Sequence, residues 1–150
     1  MIKKILKKIG KNSIISQKEI ASAAHEKRNA VLKLSSEIIS KNTNKIIEAN
    51  KEDLLLANKA GLKESYIDRL LLDSKRISAI SESLISISTL PDPLSGKITK
   101  WERPNGLVIS KQPTPLGVLG IIYESRPNVT VDAAALCIKS GNSVILLSLI

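Results

Sequence analysis

Apolar residues return at helical intervals through the first ninety positions, and turn formers divide that stretch into several helices. Ile2, Ile5, Leu6 and Ile9 are interleaved with Lys3, Lys4, Lys7 and Lys8, which predicts a short basic amphipathic helix over residues 2–11. Ser16-Gln17-Lys18-Glu19 has capping-box form. The positions that follow it, Ile20, Ala23, Ala24, Val31, Leu34 and Ile38, predict a long helix from Ser16 to about Lys41. A second helix from Thr43 or Asn44 carries Ile46, Ile47, Leu54 and Leu55 and stops at Gly61, which suits a left-handed cap. Ser65 to Asp68 opens a short turn of helix, and Asp73 caps a last one whose Ile77, Ile80, Leu84 and Ile87 form one stripe ended by Pro91 and Pro93.

Beyond Pro93 the period changes. β-Branched residues cluster in Lys97 to Glu102 and in Leu107 to Lys111, with Pro104-Asn105-Gly106 between them, the pattern of a hairpin. Val118 to Tyr123 is a continuous apolar run, as in a parallel-sheet strand buried on both faces. Val129 to Ser140 reads as a helix with a small-residue face, closed by Gly141-Asn142 before a second apolar strand at Ser143 to Leu147. Strand, helix and strand make one βαβ unit. The expected fold class is therefore α/β: a helical N-terminal half, then a hairpin and a first βαβ unit. Residues 1–15 are expected to form a basic segment and residues 16–150 the domain proper.

Composition narrows the function. With 43% apolar and 25% charged residues the chain is of globular type, but it has no Phe and only Trp101, Tyr66 and Tyr123, too few rings to stack bases. The net charge of +9 is an N-terminal property: residues 1–50 hold eleven Lys/Arg against four Asp/Glu. A solvated helix face explains that run, with contact to nucleic acid or an anionic membrane as the alternative. No apolar run approaches the roughly 20 residues of a bilayer span. A lone cysteine, Cys137, excludes an internal disulfide and a multi-thiolate metal site and suits a cytoplasmic protein. Among alanines in mid-helix it is expected to be inert. His25 has no second ligand at metal spacing and is expected at the surface, and the carboxylates of residues 48–73 read as solvated.

Candidate chemistry lies where the first parallel strand meets the next helix, at Glu124-Ser125-Arg126-Pro127-Asn128. In an open α/β sheet this is where ligands sit and helix N–H groups face anions. Arg126 suits a phosphate or carboxylate, Asn128 a developing oxyanion, and Ser125 or Thr130 a helix cap. An ordinary capped strand-to-helix loop has the same spacing. Neither GxGxxG nor GxxxxGK[ST] occurs.

Trp101-Glu102-Arg103-Pro104-Asn105-Gly106-Leu107, the run from Pro115 to Cys137 containing Tyr123-Glu124-Ser125-Arg126-Pro127-Asn128-Val129-Thr130, and Lys139-Ser140-Gly141-Asn142 resemble the gamma-glutamyl phosphate reductase (glutamate-5-semialdehyde dehydrogenase) family. The resemblance implies the N-terminal part of an aldehyde-dehydrogenase-like cofactor domain. It also implies an activity, the reduction of gamma-glutamyl phosphate by NADPH to glutamate semialdehyde in proline biosynthesis, through a thioester on a cysteine. By position, Tyr123, Glu124 and Ser125 would border the NADP cofactor. Arg126 and Asn128 would bind substrate, with Asn128 the oxyanion donor, and no metal is implied. Cys137 matches a helix position of the family rather than its nucleophile. After Val144-Ile145-Leu146 the family continues with an arginine and a glycine pair, where this chain has Leu147-Ser148-Leu149-Ile150. The expectation is a truncated protein without activity of its own, or one chain of a split reductase completed by a partner.

Overall fold

The computed structural model describes residues 2–96, 98–124 and 126–149. Among these, five helices come first: α1 (Ile2–Ser22), α2 (His25–Lys41), α3 (Thr43–Lys59), α4 (Glu64–Leu70) and α5 (Ser74–Thr89). An antiparallel hairpin of β1 (Thr99–Glu102) and β2 (Val108–Lys111) follows, and then β3 (Val118–Tyr123), α6 (Pro127–Lys139) and β4 (Ser143–Ser148). The hairpin registers Trp101 with Ile109 and turns at Gly106, whose φ of 79° suits a residue without Cβ. β3 and β4 pair in parallel from Val118 opposite Ser143 to Tyr123 opposite Ser148, so the expected βαβ unit is present. Lys97, part of the expected first hairpin strand, lies outside the described residues.

The apolar centre is the seam between α2, α5 and α6, where Leu32, Leu84, Ile87 and Ala135 pack together. The predicted stripe of α5 is right in every member, since Ile77, Ile80, Leu84 and Ile87 are all buried. Asp73 caps that helix as expected, accepting the Arg76 N–H at 2.7 Å. Three expectations about helices and strands fail. The helix start placed at Ser16 is absent: α1 runs unbroken to Ser22, and the break falls at Ala23-Ala24 with no side-chain cap. A capping box forms only where the backbone before it leaves helical geometry, and the apolar and Lys pattern before Ser16 keeps it helical.

The buried face of α2 is also displaced. Val31, Leu34 and Ile38 are exposed, while Arg28, Leu32 and Ser36, four residues apart, point inward. Polar partners decide this rotation. Ser36 donates to the Ser81 carbonyl at 2.8 Å, which brings α2 and α5 close, and Arg28 donates to Asp92 at 2.8 Å. Finally, β3 is not buried on both faces. Its residues alternate between exposed and half-buried, with Ile122 67% exposed, because one face lacks cover.

Arg28 and Lys139 are each only 3% exposed; Asp92 pairs with Arg28 and acts on Lys139 through its charge alone. Lys139 Nζ donates to Asn29 Oδ1 at 2.7 Å and to the Ser88 carbonyl at 3.0 Å. Burial pushes the Lys139 ammonium below its ordinary range, Asp92 acts against this, and Arg28 adds to it. His25, expected at the surface, is half-buried in the same cluster: it accepts from the Asn29 amide at 2.9 Å, and its Nδ1 lies 3.7 Å from Asp92. Gly141 closes α6 at φ 72°, and a Cβ there would stand 2.9 Å from Leu94 and 3.0 Å from the Arg28 guanidinium.

Two outcomes follow from this cluster. Asp92→Ala leaves the buried Arg28 guanidinium without its carboxylate and should cost about 3–5 kcal/mol, read from urea unfolding midpoints. Between the lowered folded pKa of Lys139 and its ordinary 10.5, the unfolded chain binds more protons than the folded one. Stability from this group should therefore rise with pH across that window, a rise that Lys139→Met lacks when both are unfolded at alkaline pH.

Candidate functional site

β3 delivers the chain to the N-terminus of α6, where Pro127 occupies the first turn and Arg126 is the N-cap in extended geometry. Among the described residues no side chain caps this helix: Thr130 instead pairs its hydroxyl with the Tyr123 hydroxyl at 2.5 Å, and Ser125 lies outside the described residues. The expectation of a Thr130 cap is thus corrected. A hydroxyl one turn into the helix reaches the side chain at the end of β3 rather than the first N–H groups.

Two clefts flank this helix start and share Arg126 and Pro127 as a common wall. The first, of about 420 Å³, is charged: Asp68 and Arg69 of α4, Arg76 of α5, and Arg126, Asn128 and Asp132 of α6 border it. The second, of about 630 Å³, is apolar and lies past the C-terminal ends of β3 and β4, between Leu56, Leu62, Leu70, Tyr123 and Leu149. Both volumes are in the range of small-molecule sites, and the second is at the sheet end where α/β proteins bind ligands.

Helix α4 reaches the first cleft because Asn50 holds its end. The Asn50 amide donates to the Leu70 carbonyl at 2.9 Å and accepts the Leu72 N–H at 2.7 Å. Arg76 then bridges to Asp68 at 2.8 Å and also donates to the Asp68 and Leu71 carbonyls. The Arg69 guanidinium lies 5.6 Å from the centre of the Tyr66 ring. Ser83 donates to Asp132 Oδ1 at 2.7 Å and so fixes this carboxylate from α5.

Of the residues singled out in the sequence, Arg126 borders both clefts, Asn128 the first and Tyr123 the second, while exposed Glu124 borders neither. Cys137 is 5% exposed, further along α6, and burial raises its thiol pKa, which disfavours the thiolate a nucleophile needs. Sequence reasoning missed Asp132, Ser83 and Arg69. Asp132 had a signal, since it stands four residues after Asn128 and so shares its helix face. The other two come from distant elements. Among the described residues no cluster of three or more His, Cys, Asp or Glu is placed to hold a metal, and no helix is long and apolar enough to cross a membrane.

No family model matches the chain. The gamma-glutamyl phosphate reductase of Brucella suis biovar 1 is 46% identical over 145 residues, which is 97% of this chain and 34% of that protein. The crystal structure of gamma-glutamyl phosphate reductase from Thermotoga maritima superposes with a TM-score of 0.86 at 37% identity, covering 92% of this chain and 33% of that one. A NAD-dependent benzaldehyde dehydrogenase from Corynebacterium glutamicum, at TM-score 0.66 and 19% identity over 91% of this chain and 27% of its own, shares the fold. The chain spans about a third of the length of the relatives it matches. Sequence and fold together relate this chain, along nearly all of its length, to about one third of a gamma-glutamyl phosphate reductase, with the architecture of an aldehyde dehydrogenase.

Proposed function

We propose that these 150 residues supply one wall of a gamma-glutamyl phosphate reductase site and do not complete the reaction by themselves. The observation that carries this reading is the pair of clefts meeting at Arg126, charged on one side and apolar on the other. The charged cleft suits an anionic substrate, with Arg126 pairing to its phosphate or carboxylate and Asn128 positioned to donate to the oxyanion of an acyl group. The apolar cleft, walled by Tyr123 and Leu149, suits one flat ring of a nicotinamide cofactor of the NADP type. Such a cofactor would supply hydride. The walls fit one end of a dinucleotide, since Arg126 is the single cation bordering that cleft among the described residues.

The chain carries one thiol, and that thiol is buried with a raised pKa, so a covalent acyl intermediate needs a cysteine from elsewhere. Polypeptide outside these 150 residues would supply it, either continuous with them or as a separate chain, as in a split reductase of the cytoplasm. The test mixes the purified chain with a polypeptide covering the part of a related reductase that it does not span. NADPH oxidation driven by gamma-glutamyl phosphate is expected in the mixture alone. Turnover by the chain without any partner would overturn the reading, as would an Arg126→Ala mixture as active as the native one.

A second reading rests on α1. Ile2 is 72% exposed, Ile5 51% and Leu6 54%, on the face opposite Lys3, Lys4, Lys7 and Lys8. An exposed apolar stripe beside a basic one suits the surface of an anionic bilayer better than a nucleic acid. Co-sedimentation with phosphatidylserine vesicles should then be strong at low salt and be lost when the four lysines become glutamine. Absent or salt-insensitive sedimentation removes it.

A further inference from the structure

Resting on the reading of the charged cleft as a substrate site, we infer that Asp132 receives the ammonium group of an amino-acid ligand there. Five charged side chains border the cleft: Asp68, Arg69, Arg76, Arg126 and Asp132. Asp68 and Arg76 neutralise one another at 2.8 Å. Among the described residues, neither Arg69, Arg126 nor Asp132 has an oppositely charged partner within ion-pair distance. The cleft therefore presents two uncompensated guanidinium groups and one uncompensated carboxylate. The ligand that complements this set carries two anionic groups and one cation, as an acidic amino acid or its side-chain acyl phosphate does.

Placement makes Asp132 the cation's partner. It is half-buried at the cleft wall, and Ser83 holds it through Oδ1 alone. No protein hydrogen bond to its Oδ2 occurs among the described residues, which leaves that oxygen for a ligand. Asn128, one turn earlier on the same face of α6, borders the same cleft, and Arg126 stands at the helix start. An ammonium at Asp132 would thus set the other end of an extended ligand toward Asn128 and Arg126. Asp132 acts here as a specificity-determining residue, and the reacting group is left to others.

A purely structural Asp132, tying α6 to α5 through Ser83, would give the same hydrogen bond but no preference for an amine. The measurement is titration calorimetry on the 150-residue chain with L-glutamate and with glutarate, which lacks the amino group. L-Glutamate is expected to bind about tenfold more tightly than glutarate, the size of one charge-assisted contact. Asp132→Asn, with an unchanged circular dichroism spectrum, should bring the two affinities together while leaving glutarate binding intact. Ser83→Ala, which frees the carboxylate without removing it, should lower the preference several-fold. Equal affinity of the native chain for both acids overturns the role of Asp132 and leaves the anion-binding reading standing. Absence of binding by either acid, with Arg126→Ala indistinguishable from native, overturns both.

Discussion

Arg28 and Lys139 leave two helices to meet in one dry space, and the position of nearly every other element depends on how that charge is held. A buried cation is tolerated only if paired and hydrogen-bonded. Arg28 takes Asp92 from the loop after α5, and Lys139 takes Asn29 from α2 and the Ser88 carbonyl from α5. These bonds lock α2, α5 and the end of α6 into one unit. They also bring Gly141 against the Arg28 guanidinium, where a side chain would not fit.

That locked corner sets the sheet. From Gly141 the chain enters β4 through Asn142, which accepts the Gly117 N–H at 2.9 Å and so fixes where β3 begins. Gln17 of α1 donates to the Gly141 carbonyl at 3.1 Å and accepts the Ser143 N–H at 2.6 Å, tying the long first helix to the same point. With one end of the βαβ unit fixed, the opposite end, at Tyr123 and Arg126, is where the backbone opens toward ligands. Structural polar groups thus gather at one end of α6 and candidate ligand groups at the other.

The charged cleft draws on three separate elements, and each is held by a specific hydrogen bond. Asn50 sets the end of α4, Asp73 caps the start of α5, and Ser83 orients Asp132 on α6. Asp132, held by Ser83, keeps its charge beside the guanidinium groups of the cleft without forming an ion pair with any of them. Only Asp68 of α4 and Arg76 of α5 neutralise one another, across the short connection between those two helices.

Local grammar was legible wherever one residue type has one physical use. The Asn105-Gly106 turn, the Asp73 cap, the Gly61 and Gly141 helix ends, the stripe of α5 and the apolar runs of β3 and β4 could all be read from the chain, as could Arg126, Asn128 and Tyr123 at the strand-to-helix junction. What the sequence could not determine was everything set by partners distant along the chain. The inward face of α2 follows Arg28 and Ser36 rather than Val31, Leu34 and Ile38, because Asp92 and Ser81 wait on that side. Periodicity shows that a helix has a face to bury, but a polar residue joins that face only when a tertiary partner satisfies it. For the same reason His25 is half-buried beside Asp92, and Asp132, one helical turn from a residue the sequence singled out, entered the candidate site only when α5 brought Ser83 to it.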